Sequence, residues 1–162
     1  MVQQPALDPS ELARREPEIE AELRDVVARR WQGDERPVAL ALSDTFAKLF
    51  GKEHSRRERA DFFLFVAPRI RRLTIEAGRA GRATGTLNLR AVDLDQWLAR
   101  LETVDPECVR MIELHYFAGL STRETAAVLG YPSYSVIREL RFAKAWLQAR
   151  VRWTAPDETR DS

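Results

Sequence analysis

Hydrophobic positions along the chain recur at intervals of three and four residues, which is the spacing of one face of an α-helix. The first such stripe covers residues 19–31 and the second covers residues 38–50. Pro17 predicts a separate short helical turn before the first stripe. A third stripe covers residues 57–80, where Pro68 is expected to kink or split the helix. No useful length of sequence alternates between apolar and polar residues, so the pattern predicts an all-α protein.

The periodicity is lost in residues 78–91, which contain three of the seven glycines. It resumes with a stripe that Asp93 is expected to cap, followed by a helix that Asp105 and Pro106 begin. We therefore predict two small helical domains joined by a short linker. The predicted parts are an N-terminal domain at 1–80, the linker at 81–92, a C-terminal domain at 93–151 and a polar tail at 152–162.

Residues 121–151 carry the most specific pattern in the chain. Ser121 and Glu124 have the spacing of a capping box at the start of a short helix, and Gly130 can end that helix in a left-handed conformation. A longer helix follows, with its predicted buried face at Val136, Leu140, Ala143, Leu147 and Val151. Its other side is polar and basic, with Tyr134, Ser135, Arg138, Arg141 and Lys144. This is the layout of a helix-turn-helix, in which the second helix reaches base edges in the major groove. The alternative is an αα-hairpin whose basic residues are only solvated.

The charge is uneven although the net charge is only +1. Residues 1–27 hold three basic and seven acidic side chains, whereas residues 28–92 hold fourteen basic and seven acidic ones. A basic middle segment indicates a contact with a polyanion or an acidic protein. The acidic segment 1–27 is a candidate for covering the basic segment 28–92 within the same chain.

Composition excludes several other classes of function. The single cysteine, Cys108, cannot form an internal disulfide, and with only His54 and His115 it cannot complete a zinc site. No apolar run approaches the roughly 18 residues of a membrane span, and no secretory signal is present. Nucleophile motifs, phosphate loops and paired carboxylates are also missing. We expect a cytoplasmic protein with no catalytic site, no metal and no cofactor.

Several segments resemble the extracytoplasmic-function (ECF) sigma factors. The C-terminal resemblance, to region 4 of that family, lies in Asp105-Pro106, in Phe117-Ala118-Gly119-Leu120-Ser121, in Glu124-Thr125-Ala126 and in Ala145-Trp146-Leu147. Residues 59–72 are similar to the end of region 2, and residues 42–50 to the helix of region 2 that docks on the polymerase clamp.

The resemblance implies a subunit that directs bacterial RNA polymerase to promoters. The −35 element would be read by Tyr134, Ser135, Arg138 and Arg141, with Arg123 and Lys144 on phosphates. The −10 element would be bound by the N-terminal domain, with charge from Arg69, Arg71, Arg72 and Arg79. Core RNA polymerase would contact Asp44, Thr45 and Lys48. An inhibitory anti-sigma protein is a further implied partner.

Some residues depart from the family pattern. Ile137 stands where the family commonly has a basic residue, and Leu40 stands where many relatives have an acidic one. The part that resembles region 2 is short and its first helix is strongly acidic, so the resemblance is to a divergent member of the family. Two alternatives therefore stay open. One is a stand-alone helix-turn-helix regulator, and the other is a sigma-like module that binds polymerase or an inhibitor without reading DNA. The phenylalanines at positions 62, 63 and 65 are expected in the core rather than as stacking platforms for bases.

Overall fold

The computed structural model describes residues 5–79 and 87–150, with the side chains of the helix that begins at Leu87 described from residue 94 onward. These residues form helices and no strand, which confirms the predicted all-α fold. The helices are α1 (Pro9–Arg14), α2 (Glu16–Trp31), α3 (Val38–Phe50), α4 (Arg56–Arg79), α5 (Leu87–Val104), α6 (Pro106–Ile112), α7 (Thr122–Leu129) and α8 (Ser133–Arg150). A π-helical turn, Glu113–Phe117, continues α6.

Helix α4 continues through Pro68, so of the two effects expected of this proline, a kink or a split, the split is wrong. Pro68 has no backbone N–H to donate to the carbonyl of Leu64. Beside that carbonyl, the guanidinium of Arg69 donates a hydrogen bond to the carbonyl of Phe65 at 2.7 Å. Helix α5 begins at Leu87, inside the predicted linker, because residues 87–93 contain no glycine or proline to interrupt a helix. Asp93 is therefore an interior residue of this helix and not its cap.

The first hydrophobic core is built where α1, α2 and α3 pack on the N-terminal two thirds of α4. Phe62 and Phe63 are fully buried at its centre, and the rings of Phe46 and Phe62 stack with centroids 4.6 Å apart. This confirms that Phe62 and Phe63 are core residues. Three residues that follow α6, Leu114, Ala118 and Leu120, complete this core.

The second core lies among α5, α6, α7 and α8. Its members include Leu98, Ile112, Val136 and Leu147, all fully buried. Ile75 of α4 also belongs to it. Helix α4 thus contributes to both cores, and the predicted N-terminal and C-terminal parts pack directly against each other.

Gly119 lies at a close contact between the two parts. Its φ of +81° is in the left-handed region, and a Cβ there would lie 3.1 Å from the backbone nitrogen of Ala39 at the start of α3. Only glycine meets both conditions without strain. The turn between the π-helical segment and α7 is therefore fixed against the N-terminal part of the chain.

Cys108 provides a chemical probe of this packing. Burial raises the pKa of its thiol to about 12 from an ordinary 9.0, and Sγ faces the carbonyl oxygen of Glu139 at 3.8 Å. Because the thiolate is the reactive form, the folded protein is expected to react with a maleimide or iodoacetamide at least about 1000-fold more slowly than the unfolded chain at pH 8. Labelling rates measured by mass spectrometry with and without denaturant check this. Similar labelling rates in the folded and unfolded protein would mean that the Cys108 side chain is not buried.

Candidate nucleic-acid interface

The two helices of the predicted DNA-reading motif are joined by a short, well-defined turn. Ser121 Oγ accepts from the backbone N–H of Glu124 at 3.0 Å, and the Glu124 carboxylate accepts from the Ser121 N–H at 3.1 Å. This confirms the predicted capping box. Helix α7 ends at Gly130, whose φ of 77° and ψ of 28° are left-handed, and α8 begins at Ser133. A short helix, a glycine turn and a long helix are therefore present in the predicted order.

One side of α8 is buried and the opposite side is open. Val136, Leu140, Ala143 and Leu147 are buried, as predicted. Val151, the fifth predicted residue, lies outside the described residues. The outer side, which we call the recognition face, consists of Tyr134, Ser135, Arg138, Arg141 and Phe142. The side chains of Tyr134 and Arg138 are 69% and 71% exposed. Within 5–79 and 87–150, neither Arg141 nor Arg123 of α7 forms an ion pair, so their charges face solvent. Lys144 is half-buried at the edge of this face.

Phe142 is a member of the recognition face that the sequence analysis did not single out. It lies four residues after Arg138 and eight after Tyr134, and it is 55% exposed although it is aromatic. The four-residue spacing from Arg138 is the feature of the sequence that could have placed Phe142 on this face. An exposed ring beside the cations Arg138 and Arg141 suits contact with an apolar group such as a thymine methyl.

The four arginines predicted to serve the −10 element are in a different state, because each is paired with a carboxylate. The partner of Arg71 is Glu113, which follows α6. The other three partners come from α2 and α5: Arg69 with Glu16 at 2.9 Å, Arg72 with Glu20, and Arg79 with Asp95 at 2.6 Å. The hydrogen bond from Arg72 lowers the pKa of Glu20. The acidic residues of α2 thus lie over the basic side of α4, the arrangement suggested by the opposite charges of the two segments.

Arg71 is in the interior, at the junction of the two cores. Its guanidinium donates to the carboxylate of Glu113 at 2.9 Å, and the two side chains are only 13% and 7% exposed. Burial raises the pKa of Glu113, while the charge of Arg71 opposes that effect. An ion pair this deeply buried is not available to DNA in the conformation described here.

The residues predicted to contact polymerase lie around a cleft of about 250 Å³ between α2 and α3. Asp44 and Lys48 are exposed on its rim, where Asp44 pairs with Arg36 and Lys48 pairs with Glu22. Thr45 is buried, and its hydroxyl donates to the carbonyl of Ala41 at 3.1 Å. Only two of the three predicted residues therefore present side-chain groups at the surface.

One group of side chains has the composition of a metal site. Ligand atoms of Asp105, Cys108 and Glu139 lie within 4.8 Å of one another. Asp105 already accepts from the Cys108 N–H at 3.1 Å as the cap of α6, and burial keeps the Cys108 thiol protonated. These contacts explain why the three side chains lie together: Asp105 caps α6, and the Cys108 thiol is packed in the interior.

The comparison with protein families concerns the C-terminal part. Residues 86–153 match the family model described as ECF sigma factor. Searches of curated proteins and of solved structures returned no match. None of the described helices is both long and apolar enough to cross a membrane. The matched residues include α7, the glycine turn and α8 with its recognition face, so the C-terminal part of the resemblance predicted from the sequence is confirmed. Over residues 86–153, this chain is similar to the ECF sigma factors.

Proposed function

We propose that the chain is a sigma factor that brings core RNA polymerase to specific promoters and reads the −35 element with α8. The observation that carries the proposal is the recognition face of α8, which combines exposed aromatic rings with cations. Helix α8 follows a capped helix and a glycine turn, as the second helix of a helix-turn-helix does. That combination lies inside the segment that matches the ECF sigma factor family. Run-off transcription with core polymerase, on fragments from upstream of its own coding sequence, tests the proposal directly.

In this proposal α8 lies in the major groove with its first turns against base edges. Arg138 and Arg141 are three residues apart and hence neighbours on one side of the helix. An arginine can donate two hydrogen bonds to guanine O6 and N7, which specifies a base, whereas contacts to phosphate only position the protein. We assign base contacts to Tyr134, Ser135, Arg138 and Arg141, and phosphate contacts to Arg123 and Lys144.

The N-terminal part is assigned to the −10 element and to polymerase. Arg69, Arg71, Arg72 and Arg79 supply the positive charge for the −10 element, and Asp44, Thr45 and Lys48 mark the polymerase side. Because the four arginines are paired with carboxylates, DNA must compete with Glu16 and Glu20 for Arg69 and Arg72. The same pairs support the second candidate, a sigma-like module that binds polymerase or an anti-sigma protein without reading DNA.

Substitutions on the recognition face separate base reading from phosphate binding. Arg138→Ala or Arg141→Ala is expected to cost about 1–3 kcal/mol of binding free energy on the cognate −35 site and to relax base preference there. Lys144→Ala is expected to weaken binding to all sequences alike and to flatten the salt dependence. Fluorescence titration of the holoenzyme on matched and mismatched duplexes measures both effects.

The matched control for these variants is Gln148→Ala, an exposed position further along α8 that has no assigned DNA contact. Circular dichroism is expected to show intact folding for every variant, because none of them touches the buried side of α8. If Arg138→Ala and Arg141→Ala bind and transcribe like the unaltered protein, the DNA-reading assignment fails and the interaction module becomes the better proposal.

Neutralising the acidic cover of α4 is expected to strengthen nucleic-acid binding. The double variant Glu16→Gln, Glu20→Gln removes the α2 carboxylates from Arg69 and Arg72, although Arg72 keeps Glu76 of its own helix at 3.6 Å. Binding of the holoenzyme to a premelted −10 bubble should therefore tighten at low salt. The slope of log K against log salt should become steeper by about 0.7–0.9 for each arginine that gains a phosphate.

Glu18→Gln is the control, since Glu18 lies on the same helix but pairs with Arg15 at 3.2 Å. Deleting residues 1–27 is a poorer test, because Ile19 and Leu23 are fully buried in the first core. An unchanged salt slope in the double variant would show that these arginines do not meet phosphates.

A further inference from the structure

Phe142 is the one phenylalanine that the fold leaves on the surface. All seven phenylalanines lie within the described residues, and the other six are buried or half-buried. Phe46 and Phe62, for example, stack on each other in the first core. Phe142 is 55% exposed, and none of the other described rings stacks on it. A single exposed hydrophobic side chain is ordinary in itself, so the position of Phe142 decides what its ring can contact.

This position is on the recognition face, in line with Tyr134 and Arg138. The three residues are spaced four apart, so they follow one another along the same side of α8. With a rise of 1.5 Å for each residue, Phe142 lies about 6 Å further along the helix axis than Arg138. That length corresponds to about two base-pair steps of DNA, at 3.4 Å for each step. A helix that places Arg138 against one base pair in the major groove therefore brings the ring of Phe142 close to a base pair about two steps away.

The backbone that carries this ring is held firmly. Leu140 and Ala143, on the opposite side of α8, are 4% and 0% exposed in the second core. A phenylalanine side chain has only two torsion angles, so little freedom is lost when a contact fixes the ring. The ring of Phe142 is therefore presented to a partner in a nearly fixed place, as a residue that selects between bases requires.

The chemistry of the ring favours one of the four bases. In the major groove, the edges of adenine, guanine and cytosine present hydrogen-bond donors and acceptors, whereas thymine also presents an apolar C5-methyl group. A phenyl ring has no hydrogen-bonding group, so covering a donor or acceptor removes its water without replacing the hydrogen bond. Contact with a methyl group avoids that cost and removes apolar surface from water. Thymine is therefore the base that Phe142 fits.

We propose that Phe142 is a specificity-determining residue for the −35 element, where its ring contacts the C5-methyl group of a thymine about two base pairs from the base that Arg138 contacts. The inference rests on the proposed function and adds one required base to it. Arg138 and Arg141 hold α8 in the groove through hydrogen bonds, which have a direction. Phe142 selects the neighbouring base through hydrophobic contact, which requires only a close fit.

Deoxyuridine scanning of the −35 element tests this contact one methyl group at a time. The probe is the promoter duplex that supports run-off transcription, with each thymine of the −35 region replaced in turn by deoxyuridine. Deoxyuridine lacks only the C5-methyl group and keeps every hydrogen-bonding group of thymine. At one thymine, the Kd of the holoenzyme is expected to rise about fourfold, the factor that corresponds to one buried methyl group. Fluorescence titration measures the Kd for each duplex.

Phe142→Ala removes the ring and should remove the dependence on that methyl group. The variant is expected to bind the unmodified duplex more weakly than the unaltered protein does, and to bind the thymine and deoxyuridine duplexes equally. A loss of folding would instead weaken binding to every duplex alike, so the ratio of the two Kd values separates the two causes. Circular dichroism is expected to show intact helices, because Phe142 is exposed.

Two further variants complete the comparison. Gln148→Ala, at an exposed position further along α8, is the matched control and should keep the fourfold difference between the duplexes. Phe142→Leu retains an apolar side chain at the same position and should keep part of that difference. The size of the apolar group at position 142 is thus expected to follow the preference for thymine over deoxyuridine.

The assignment is overturned if no single deoxyuridine raises the Kd of the unaltered holoenzyme, or if the same difference persists in Phe142→Ala. Weaker binding of Phe142→Ala to core polymerase without DNA would also overturn it, because the ring would then belong to a protein contact. In each case the proposed function stands as long as Arg138→Ala loses affinity for the cognate duplex. If the unaltered protein supports neither promoter-specific binding nor transcription, the proposed function fails and the thymine contact fails with it.

Discussion

The 24 residues of helix α4 contribute side chains to two hydrophobic cores, and the rest of the structure depends on that constraint. Phe62 and Phe63 near its beginning are surrounded by α2 and α3, whereas Ile75 near its end lies among α5, α6 and α8. A helix buried on two sides has little surface left for solvated charges. Arg69, Arg71, Arg72 and Arg79 therefore lie at the borders between neighbouring helices, where each pairs with a carboxylate.

Helix α8 is the opposite case, and the contrast explains how one small chain can hold two kinds of basic surface. Only one side of α8 is buried, and no helix within 5–79 and 87–150 supplies carboxylates across from Arg141. Arg141 therefore remains available to a partner, while Arg69, Arg71, Arg72 and Arg79 of α4 are paired with carboxylates within the fold. The number of helices packed around an element, rather than its arginine content, decides whether its charge can attract phosphate.

The sequence was most informative where a local rule specifies the structure. The capping box of Ser121 and Glu124, the turn at Gly130 and the buried side of α8 depend on residues close together in the chain, and all were predicted. The passage of α4 through Pro68 without a split was not predicted, because the side chain of Arg69 supplies a donor there. The start of α5 at Leu87 was also missed, although residues 87–93 contain no glycine or proline that would interrupt a helix. The pairing of Arg71 with Glu113 joins residues 42 positions apart, and no periodicity indicates it. The assignment of individual side chains to DNA or to polymerase stays a prediction.

The π-helical turn at Glu113–Phe117 has a consequence for how this fold tolerates changes in length. Met111 and Ile112 before it face the second core, while Leu114 and Ala118 face the first. The wider turn accommodates one residue more than an α-helical turn would, and so shifts the phase of the hydrophobic stripe between the two cores. Removing a single residue here would rotate every later side chain by about 100°, since an α-helix has 3.6 residues per turn. Among homologous sequences, insertions and deletions should therefore be excluded from this short segment even where α6 and α7 themselves vary.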